Sequence, residues 1–155
     1  MTLNFISLGA GVQSTAMALM AAHGEISPMP DAAIFADTQW EPQAVYDHLE
    51  WLMSPNVLPF PVHVVTAGSL REGIGKPRPT GKYARVDVPA FVKPGGMLTR
   101  SCTKNFKISP LRRKVRQLAG LYRKRSPDHV VVKQWIGISL DESHRMKNTH
   151  EAWVE

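Results

Sequence analysis

A loop of small and polar residues near the N-terminus carries the clearest sign of chemistry in this chain. Residues 7–14 read Ser-Leu-Gly-Ala-Gly-Val-Gln-Ser, and they follow an apolar run and precede a helical pattern rich in Ala and Met. Glycine lets the backbone approach a ligand closely, and the free N–H groups at the start of a helix attract anions. The loop contains no Lys or Arg, so we predict that backbone N–H groups hold a phosphate there.

Two familiar phosphate-binding motifs can be compared with this loop. A Walker-type P-loop ends in Gly-Lys-Ser/Thr, which the absence of lysine rejects. The dinucleotide fingerprint requires a third glycine where Ser14 stands and an acidic residue about 20 positions further on. Asp37 is that acid. An NAD-dependent oxidoreductase, or a tight strand-to-helix turn that binds nothing, is therefore an alternative to a mononucleotide site.

The first half of the chain alternates between strand and helix patterns. Apolar runs at residues 3–8, 32–36 and 62–65 predict strands, and apolar residues at helical spacing predict helices over 14–22 and 42–53. Such alternation is typical of an α/β fold with a parallel sheet. Because ligands of these sheets bind at the carboxyl ends of the strands, we expect the loops that follow the strands to form the site.

The second half is less regular. Gly and Pro recur over about residues 67–99, which predicts a mobile insertion in a single domain that spans residues 1–155. A helix is predicted over residues 109–121, with Ser109 as its N-cap and Pro110 in its first turn. A strand is predicted over residues 130–138.

Positive charge is concentrated in one segment. The net charge is +6, and residues 88–127 contain no Asp or Glu. Residues 100–125 contain ten basic side chains, namely Arg100, Lys104, Lys107, Arg112, Arg113, Lys114, Arg116, Arg123, Lys124 and Arg125. Such a field attracts polyanions, so nucleic acid is a candidate partner of this stretch. A solvated helix face with no partner is the alternative.

Composition limits the other classes of function. No apolar run approaches the ~20 residues that span a bilayer, and no secretory signal pattern is present, so we expect a cytoplasmic protein with no membrane contact. Cys102 is the only cysteine, which excludes an internal disulfide and an iron–sulfur cluster held by several thiolates of the chain. The histidines lack the spacing of a metal site, and we predict no structural metal.

Four segments in the same order resemble one protein family. The loop at residues 7–14 resembles the pyrophosphate (PP) loop of the adenine nucleotide alpha-hydrolase superfamily, in the variant found in phosphoadenosine phosphosulfate (PAPS) reductases and their phage and bacterial relatives. The Asp-Thr-Gln segment at residues 35–42, the Cys/Lys/Pro-Leu segment at 100–111 and the Gly- and Arg-containing segment at 136–145 resemble other motifs of that group. The resemblance implies a Rossmann-like, doubly wound, mainly parallel sheet with helices on both faces, and a host-cytoplasmic location if the protein is phage-encoded.

The same resemblance implies roles for individual residues. An adenine nucleotide, ATP or PAPS, is the expected ligand, with Mg²⁺ beside Asp37. The implied nucleotide-binding residues are Ser7, Gly9, Ala10, Gly11, Gln13, Ser14, Asp37, Thr38, Arg100 and Gly137. The implied catalytic residues are Cys102, Lys107, Arg145 and Asp37.

The chain also departs from that family. It has no cysteine besides Cys102, so it lacks both the cluster-binding cysteines and the C-terminal cysteine tail that reductases of this type use. A partner or a different second subunit would have to supply such a tail, and a homodimer is a separate candidate assembly. Gln13 stands where many ATP-cleaving relatives have Asp. We therefore expect a PAPS reductase-like protein acting at the phosphate or sulfate end of its nucleotide, by reductase-like, ATP alpha-hydrolase or nucleotidyl-transfer chemistry. The alternative is a catalytically reduced protein that binds nucleotide or nucleic acid.

Overall fold

The computed structural model describes residues 2–73, 95–96, 101–146, 149 and 151–155, with Arg145 described in its backbone alone. The first half of the chain alternates strands and helices as predicted. Its elements are β1 (Leu3–Leu8), α1 (Val12–Ala22), β2 (Ala32–Asp37), α2 (Gln43–Leu52), β3 (Val62–Thr66) and the short helix α3 (Leu70–Gly73). The second half contains a π-helix (Thr103–Ile108), α4 (Ser109–Leu118), β4 (Val132–Trp135) and a 3₁₀-helix (Leu140–Arg145).

The strands form a four-stranded parallel sheet in the order β3-β2-β1-β4. The predicted α/β fold with a parallel sheet is thus confirmed. Successive strands are added on one side of β1, and β4 then pairs with its other side. The loops after β1 and β4 consequently leave the same edge of the sheet side by side, since parallel neighbours end at the same edge.

Helices cover both faces of the sheet, because successive side chains of a strand point to opposite faces. On one face, Ile6 and Leu8 of β1 pack with Ala18 of α1 and Leu52 of α2. On the other face, Phe5 of the same strand packs in a second core with α4 and β4. Each large side chain buried in this way contributes roughly 1.5–3 kcal/mol. The two cores fix the sheet, and with it the loops at its carboxyl edge.

α4 begins at residue 109 as predicted, but it ends at Leu118 and not at residue 121, and the π-helix leads directly into it. Ser109 has helical backbone angles and its N–H group donates to the Lys104 carbonyl, so its prediction as an N-cap is wrong. Pro110 does lie in the first turn of α4. Since proline lacks an N–H group and its ring crowds the carbonyl four residues earlier, the preceding turns widen into a π-helix. Gly120, at φ +67°, ends the helix with the hydrogen bond from the Leu121 N–H to the Arg116 carbonyl.

The fourth strand is shorter than its predicted range of 130–138. Its register with β1 ends where Ile6 lies beside Trp135, so pairing sets its length rather than local hydrophobicity. On its other side the C-terminal segment adds backbone hydrogen bonds, such as Glu155 N–H to the Val132 carbonyl at 2.9 Å. Most of the predicted insertion, residues 74–94 and 97–99, lies outside the described residues. Every helix in the described part is too short or too polar to cross a bilayer.

Candidate functional site

The loop between β1 and α1 is shaped by the Ser14 side chain. The Ser14 hydroxyl accepts a hydrogen bond from the Gly9 N–H group at 3.2 Å and donates one to the Gly11 carbonyl at 3.2 Å. The side chain of Ser14 is buried, whereas Gly9, Gly11 and Gln13 are exposed. Ser14 therefore holds the loop in shape from within, and the outer surface of the loop is open to solvent.

The helix that follows this loop begins without a side-chain cap. Gly11 is the N-cap of α1 and receives no side-chain capping bond, and the first N–H groups of a helix have no partner within the helix. Ala10 has φ +53°, a conformation that costs a residue with a Cβ atom about 1–3 kcal/mol. An unfavourable backbone angle beside an open helix start is typical of a loop that binds an anion.

The loop after β4 lies directly against the start of α1. A Cβ atom built on Gly137 would be 2.7 Å from the backbone nitrogen of Ser14 and 2.7 Å from the carbonyl carbon of Gln13. Only glycine allows the two backbones to come so close. The structure thus brings Gly137 together with the predicted loop residues.

The loop after β2 contains a second group of hydrogen bonds. Asp37 accepts hydrogen bonds on Oδ1 from the Gln39 N–H group at 2.7 Å and from the Tyr46 hydroxyl at 2.9 Å. Burial raises the pKa of Tyr46, a hydrogen bond from the Glu41 N–H group offsets part of that rise, and the hydrogen bond to Asp37 and the charge of that carboxylate raise the pKa further. The phenol is therefore a neutral donor that holds the Asp37 carboxylate in place.

Lys107 of the π-helix connects this loop to the opposite wall of the site. Its ammonium group lies 3.1 Å from the Glu41 carboxylate, which also accepts a hydrogen bond of 3.0 Å from the buried Thr38 hydroxyl. About half of the Lys107 side chain remains exposed. An anionic ligand at this position would compete with Glu41 for the same ammonium group.

A cavity of about 450 Å³ lies beside Lys107, between the carboxyl ends of β1 and β4 and the helical segment. This volume falls in the range of about 300–1,000 Å³ that is usual for small-molecule sites. Its apolar lining residues are Phe5, Ile108, Leu111, Val115, Ile136, Trp153 and Val154. Its polar lining residues are Ser7, Thr103, Lys107, Arg112, Gln134, Thr149 and Glu151. An apolar wall with a few polar groups suits a flat heterocycle that carries polar substituents.

Glu151 is an acceptor on the wall of this cavity. Its Oε1 atom pairs with Arg112 at 2.6 Å, while its Oε2 atom is buried and accepts no hydrogen bond from the described residues. A buried carboxylate oxygen without a donor costs free energy. A ligand N–H or O–H group in the cavity would supply the missing donor.

The structure gives fewer contacts for the remaining predicted site residues, Cys102, Arg145 and Arg100. Cys102 is a half-buried free thiol immediately before Thr103, a lining residue of the cavity. The backbone of Arg145 lies in the 3₁₀-helix after β4, and its side chain and the whole of Arg100 lie outside the described residues. In that 3₁₀-helix, a hydrogen bond from the Ser139 hydroxyl holds the pKa of Asp141 below its usual range.

The described residues contain no group of side chains that would form a metal site by themselves. Across the described residues, no three His, Cys, Asp or Glu side chains are grouped as a metal site. Mg²⁺ commonly enters nucleotide sites on the phosphates with only one or two protein carboxylates. The segment at the end of β2 and after it carries two carboxylates, Asp37 and Glu41, and Glu41 pairs with the cavity residue Lys107.

Three residues in or beside the cavity, Glu41, Glu151 and Trp153, were missed by sequence reasoning. Glu41 lies within the segment that resembles the family motif, and its distance in sequence from Lys107 gave no sign of their ion pair. Glu151 and Trp153 come from the C-terminal segment, which shows no recognisable motif. Only the pairing of that segment with β4 brings them to the cavity.

Comparison with known proteins adds no assignment, because no family model, no characterised protein and no solved structure matches this chain.

Proposed function

We propose that this protein binds an adenine nucleotide or sulfonucleotide at the carboxyl edge of its sheet and acts at the phosphate or sulfate end. The observation that carries the proposal is the close approach of Gly137 to the first turn of α1, beside a loop with open backbone N–H groups. The cavity of about 450 Å³ is lined by Ser7, the first residue of the loop at residues 7–14, and would take the nucleoside. The strand order β3-β2-β1-β4 supports a Rossmann-like, doubly wound fold, in which ligands bind where the strand order reverses.

Each part of the site has a role in this proposal. The N–H groups of residues 10–14 hold a phosphate or pyrophosphate, and Lys107 exchanges Glu41 for a phosphate or sulfate oxygen. The heterocycle lies against the apolar wall, with Glu151 Oε2 as an acceptor. Charge stabilisation by such groups is a major source of catalysis in phosphoryl and sulfonyl transfer. Arg100 and Arg145 are proposed as further oxygen-binding residues on the resemblance alone.

The resemblance to PAPS reductases supports the choice of nucleotide, while the single thiol limits the chemistry. Cys102 adjoins the cavity, so it is the candidate nucleophile that takes the sulfonate group of PAPS as S-sulfocysteine, with adenosine 3′,5′-bisphosphate as the leaving group. Release of sulfite from Cys102 then requires an added thiol as the reductant. Attack of water on the α-phosphate of ATP, with release of AMP and pyrophosphate, needs no thiol. Product analysis separates these two reactions, because the reaction of PAPS requires Cys102 and the cleavage of ATP does not.

An NAD-dependent oxidoreductase remains the second candidate. Asp37 ends β2, where a dinucleotide-binding protein has its ribose-binding acid. Against it, Asp37 Oδ1 already accepts two hydrogen bonds, and Ser14 occupies the position of the third glycine.

Calorimetry with ATP, PAPS and NAD in parallel tests the proposal. We expect ATP or PAPS to bind, and we expect the Gly137→Ala variant to bind it more weakly. Binding of NAD without binding of ATP or PAPS would reject the proposal. Incubation with the bound nucleotide and dithiothreitol as reductant, followed by analysis for AMP, pyrophosphate and sulfite in the wild type and in Cys102→Ser, then distinguishes an enzyme from a protein that only binds.

A further inference from the structure

A second concave surface lies on α4, outside the proposed nucleotide site. It encloses about 270 Å³ and is lined by Ser109, Arg112, Arg113, Arg116, Tyr122 and Arg123. We call these six residues the arginine pocket. They come from two segments, α4 and the turn that follows it, which converge on the same space. A merely solvated helix face would spread its side chains outwards, so this convergence calls for another explanation.

Arg116 holds the two segments together. Its guanidinium group donates to the carbonyls of Leu121 at 3.0 Å and Lys124 at 2.5 Å, and to the Ser126 hydroxyl at 2.8 Å. It also lies over the Trp153 ring, 5.3 Å from its centroid. The turn that carries Tyr122 and Arg123 is therefore fixed against α4.

The other arginines differ in how far they are neutralised. Arg112 pairs with Glu151, but neither Arg113 nor Arg123 forms an ion pair with any described carboxylate. Both are exposed, and the sequence from residue 88 to residue 127 supplies no acidic side chain. Arginine binds phosphate oxygens through several N–H groups of one planar fork. Two unneutralised guanidinium groups in one pocket suit an anion with more than one phosphate.

Tyr122 adds an aromatic surface to this charge. Its side chain is 53% exposed, and the guanidinium group of Arg123 lies 5.4 Å from its ring centroid. An exposed ring beside arginines is the arrangement with which proteins bind single-stranded nucleic acid, since an unpaired base stacks on the ring while phosphates contact the cations. A base within a duplex is already stacked and paired, and it would not reach the ring.

We propose that the arginine pocket binds single-stranded nucleic acid, with backbone phosphates on Arg113 and Arg123 and a base stacked on Tyr122. Arg112 lines both this pocket and the larger cavity, so a bound strand would lie next to the proposed nucleotide site. The inference does not rest on the proposed nucleotide chemistry. Either could fail without the other.

Fluorescence anisotropy with labelled single strands of about 12 nucleotides tests the proposal, because single-strand site sizes run from about 4 to 16 nucleotides. We expect binding to weaken steeply between about 50 and about 200 mM salt, with a log–log slope of about −0.7 for each phosphate neutralised. Arg113→Gln and Arg123→Gln should each reduce the slope by about 0.7 and the affinity at low salt by about fivefold. Lys133→Gln is the control, because it removes one positive charge on β4, outside residues 100–125 and outside the arginine pocket, and should change affinity by less than about twofold.

Tyr122 is tested separately from the charges. Tyr122→Leu should lower affinity by about tenfold, because it removes the ring on which a base stacks. Tyr122→Phe keeps the ring and should retain the affinity.

The choice of strand gives further outcomes. Equal binding of DNA and RNA strands would indicate recognition of the shared backbone, and a preference for RNA would identify RNA as the ligand; both results support the proposal. Unchanged binding in the arginine variants, equal binding of duplex and single strands, or binding to phosphatidylserine vesicles without binding to oligonucleotides would each overturn it. We expect calorimetry to show the same ATP affinity in Arg113→Gln as in the wild type, which keeps this test distinct from the test of the nucleotide site.

Discussion

A Cβ atom at Gly137 would lie 2.7 Å from the backbone nitrogen of Ser14, closer than such atoms are found in proteins. This contact joins the loop after β4 to the first turn of α1, although the two residues are far apart in the sequence. The neighbouring atom is backbone and not the end of a flexible side chain, so an added methyl group cannot be accommodated by a rotamer change. The position of the loop after β1 therefore depends on the absence of a side chain at residue 137.

Gly137→Ala should disturb both stability and ligand binding. Forcing an extra methyl group into a packed contact typically costs about 1–3 kcal/mol, and here it displaces the residues that we propose to hold phosphate. We expect the free energy of unfolding to fall by that amount in urea denaturation, and the affinity for ATP or PAPS to fall at least about tenfold, about 1.4 kcal/mol. Wild-type affinity in a destabilised variant would show that the contact serves the fold and not the site.

Gly11→Ala is the matched variant, because it adds the same methyl group where the protein has room. No atom lies within 4 Å of a Cβ built on Gly11, and its angles, φ −95° and ψ 175°, suit any residue. Stability should change by less than about 1 kcal/mol, since only an N-cap preference is lost. Nucleotide affinity should nevertheless decrease, because the methyl group projects beside the N–H groups of the loop. Calorimetry that finds unchanged affinity would place the phosphate elsewhere.

Ser14→Ala tests the internal hydrogen bonds of the same loop. The hydroxyl joins the Gly9 N–H group to the Gly11 carbonyl, and its removal leaves both without that partner. We expect a loss of about 1–3 kcal/mol in the free energy of unfolding, together with weaker nucleotide binding as the loop relaxes. Thr15→Ala is the control, because the adjacent hydroxyl bonds to His48 of α2 and has no part in the loop. If both variants bind nucleotide equally, Ser14 does not shape the site.

The sequence predicts the elements of the first half well because their signals are local. The apolar run of β1 is predicted with its observed bounds, Leu3–Leu8, and the helix predicted over residues 14–22 is observed over Val12–Ala22. The strand β4 is different, because its apolar residues extend over 130–138 while its length is limited by pairing with β1. Pro110 similarly predicts a helix start, yet the chain is already helical before it.

The site is predicted only in part, because only some of its residues lie close together in the sequence. The loop at residues 7–14 is visible because a strand, two glycines and a helix follow one another within a few positions. The Glu41–Lys107 pair and the Glu151 carboxylate are brought to the site by tertiary contacts between distant segments. No periodicity or short motif records such contacts, so only the folded chain reveals them.

The ion pair between Glu41 and Lys107 predicts that removal of one charged side chain strengthens nucleotide binding. Because Glu41 repels an anionic ligand and occupies the ammonium group, Glu41→Gln should strengthen ATP or PAPS binding by a few-fold, about 1 kcal/mol. Lys107→Gln should weaken it. The pair is partly exposed, so neither change should alter the free energy of unfolding by more than about 1 kcal/mol. Calorimetry on both variants decides the matter, and weaker binding in Glu41→Gln would mean that the carboxylate itself contacts the ligand or its Mg²⁺.

His63 of β3 predicts a pH dependence of stability. Burial lowers the pKa of His63 from its ordinary value of 6.5, and the positive charge of Lys114 lowers it further. Between the lowered pKa and pH 6.5 the unfolded chain therefore holds more protons at this residue than the folded chain does, so stability rises with pH in that window. The contribution is fully present above pH 6.5 and is lost as the pH falls through the lowered pKa. Urea denaturation at a series of pH values should show this slope in the wild type and a smaller one in His63→Asn.

Lys114→Met separates the two causes of this shift. It removes the charge and leaves the burial, so the pKa of His63 should rise part of the way towards its ordinary value, and the pH window should narrow without disappearing. Titration of the His63 ring signals by NMR measures that pKa directly in both proteins. If the pKa is the same in Lys114→Met as in the wild type, burial alone depresses it. If His63→Asn retains the full slope of stability with pH, the slope arises from other groups and the assignment to His63 is wrong.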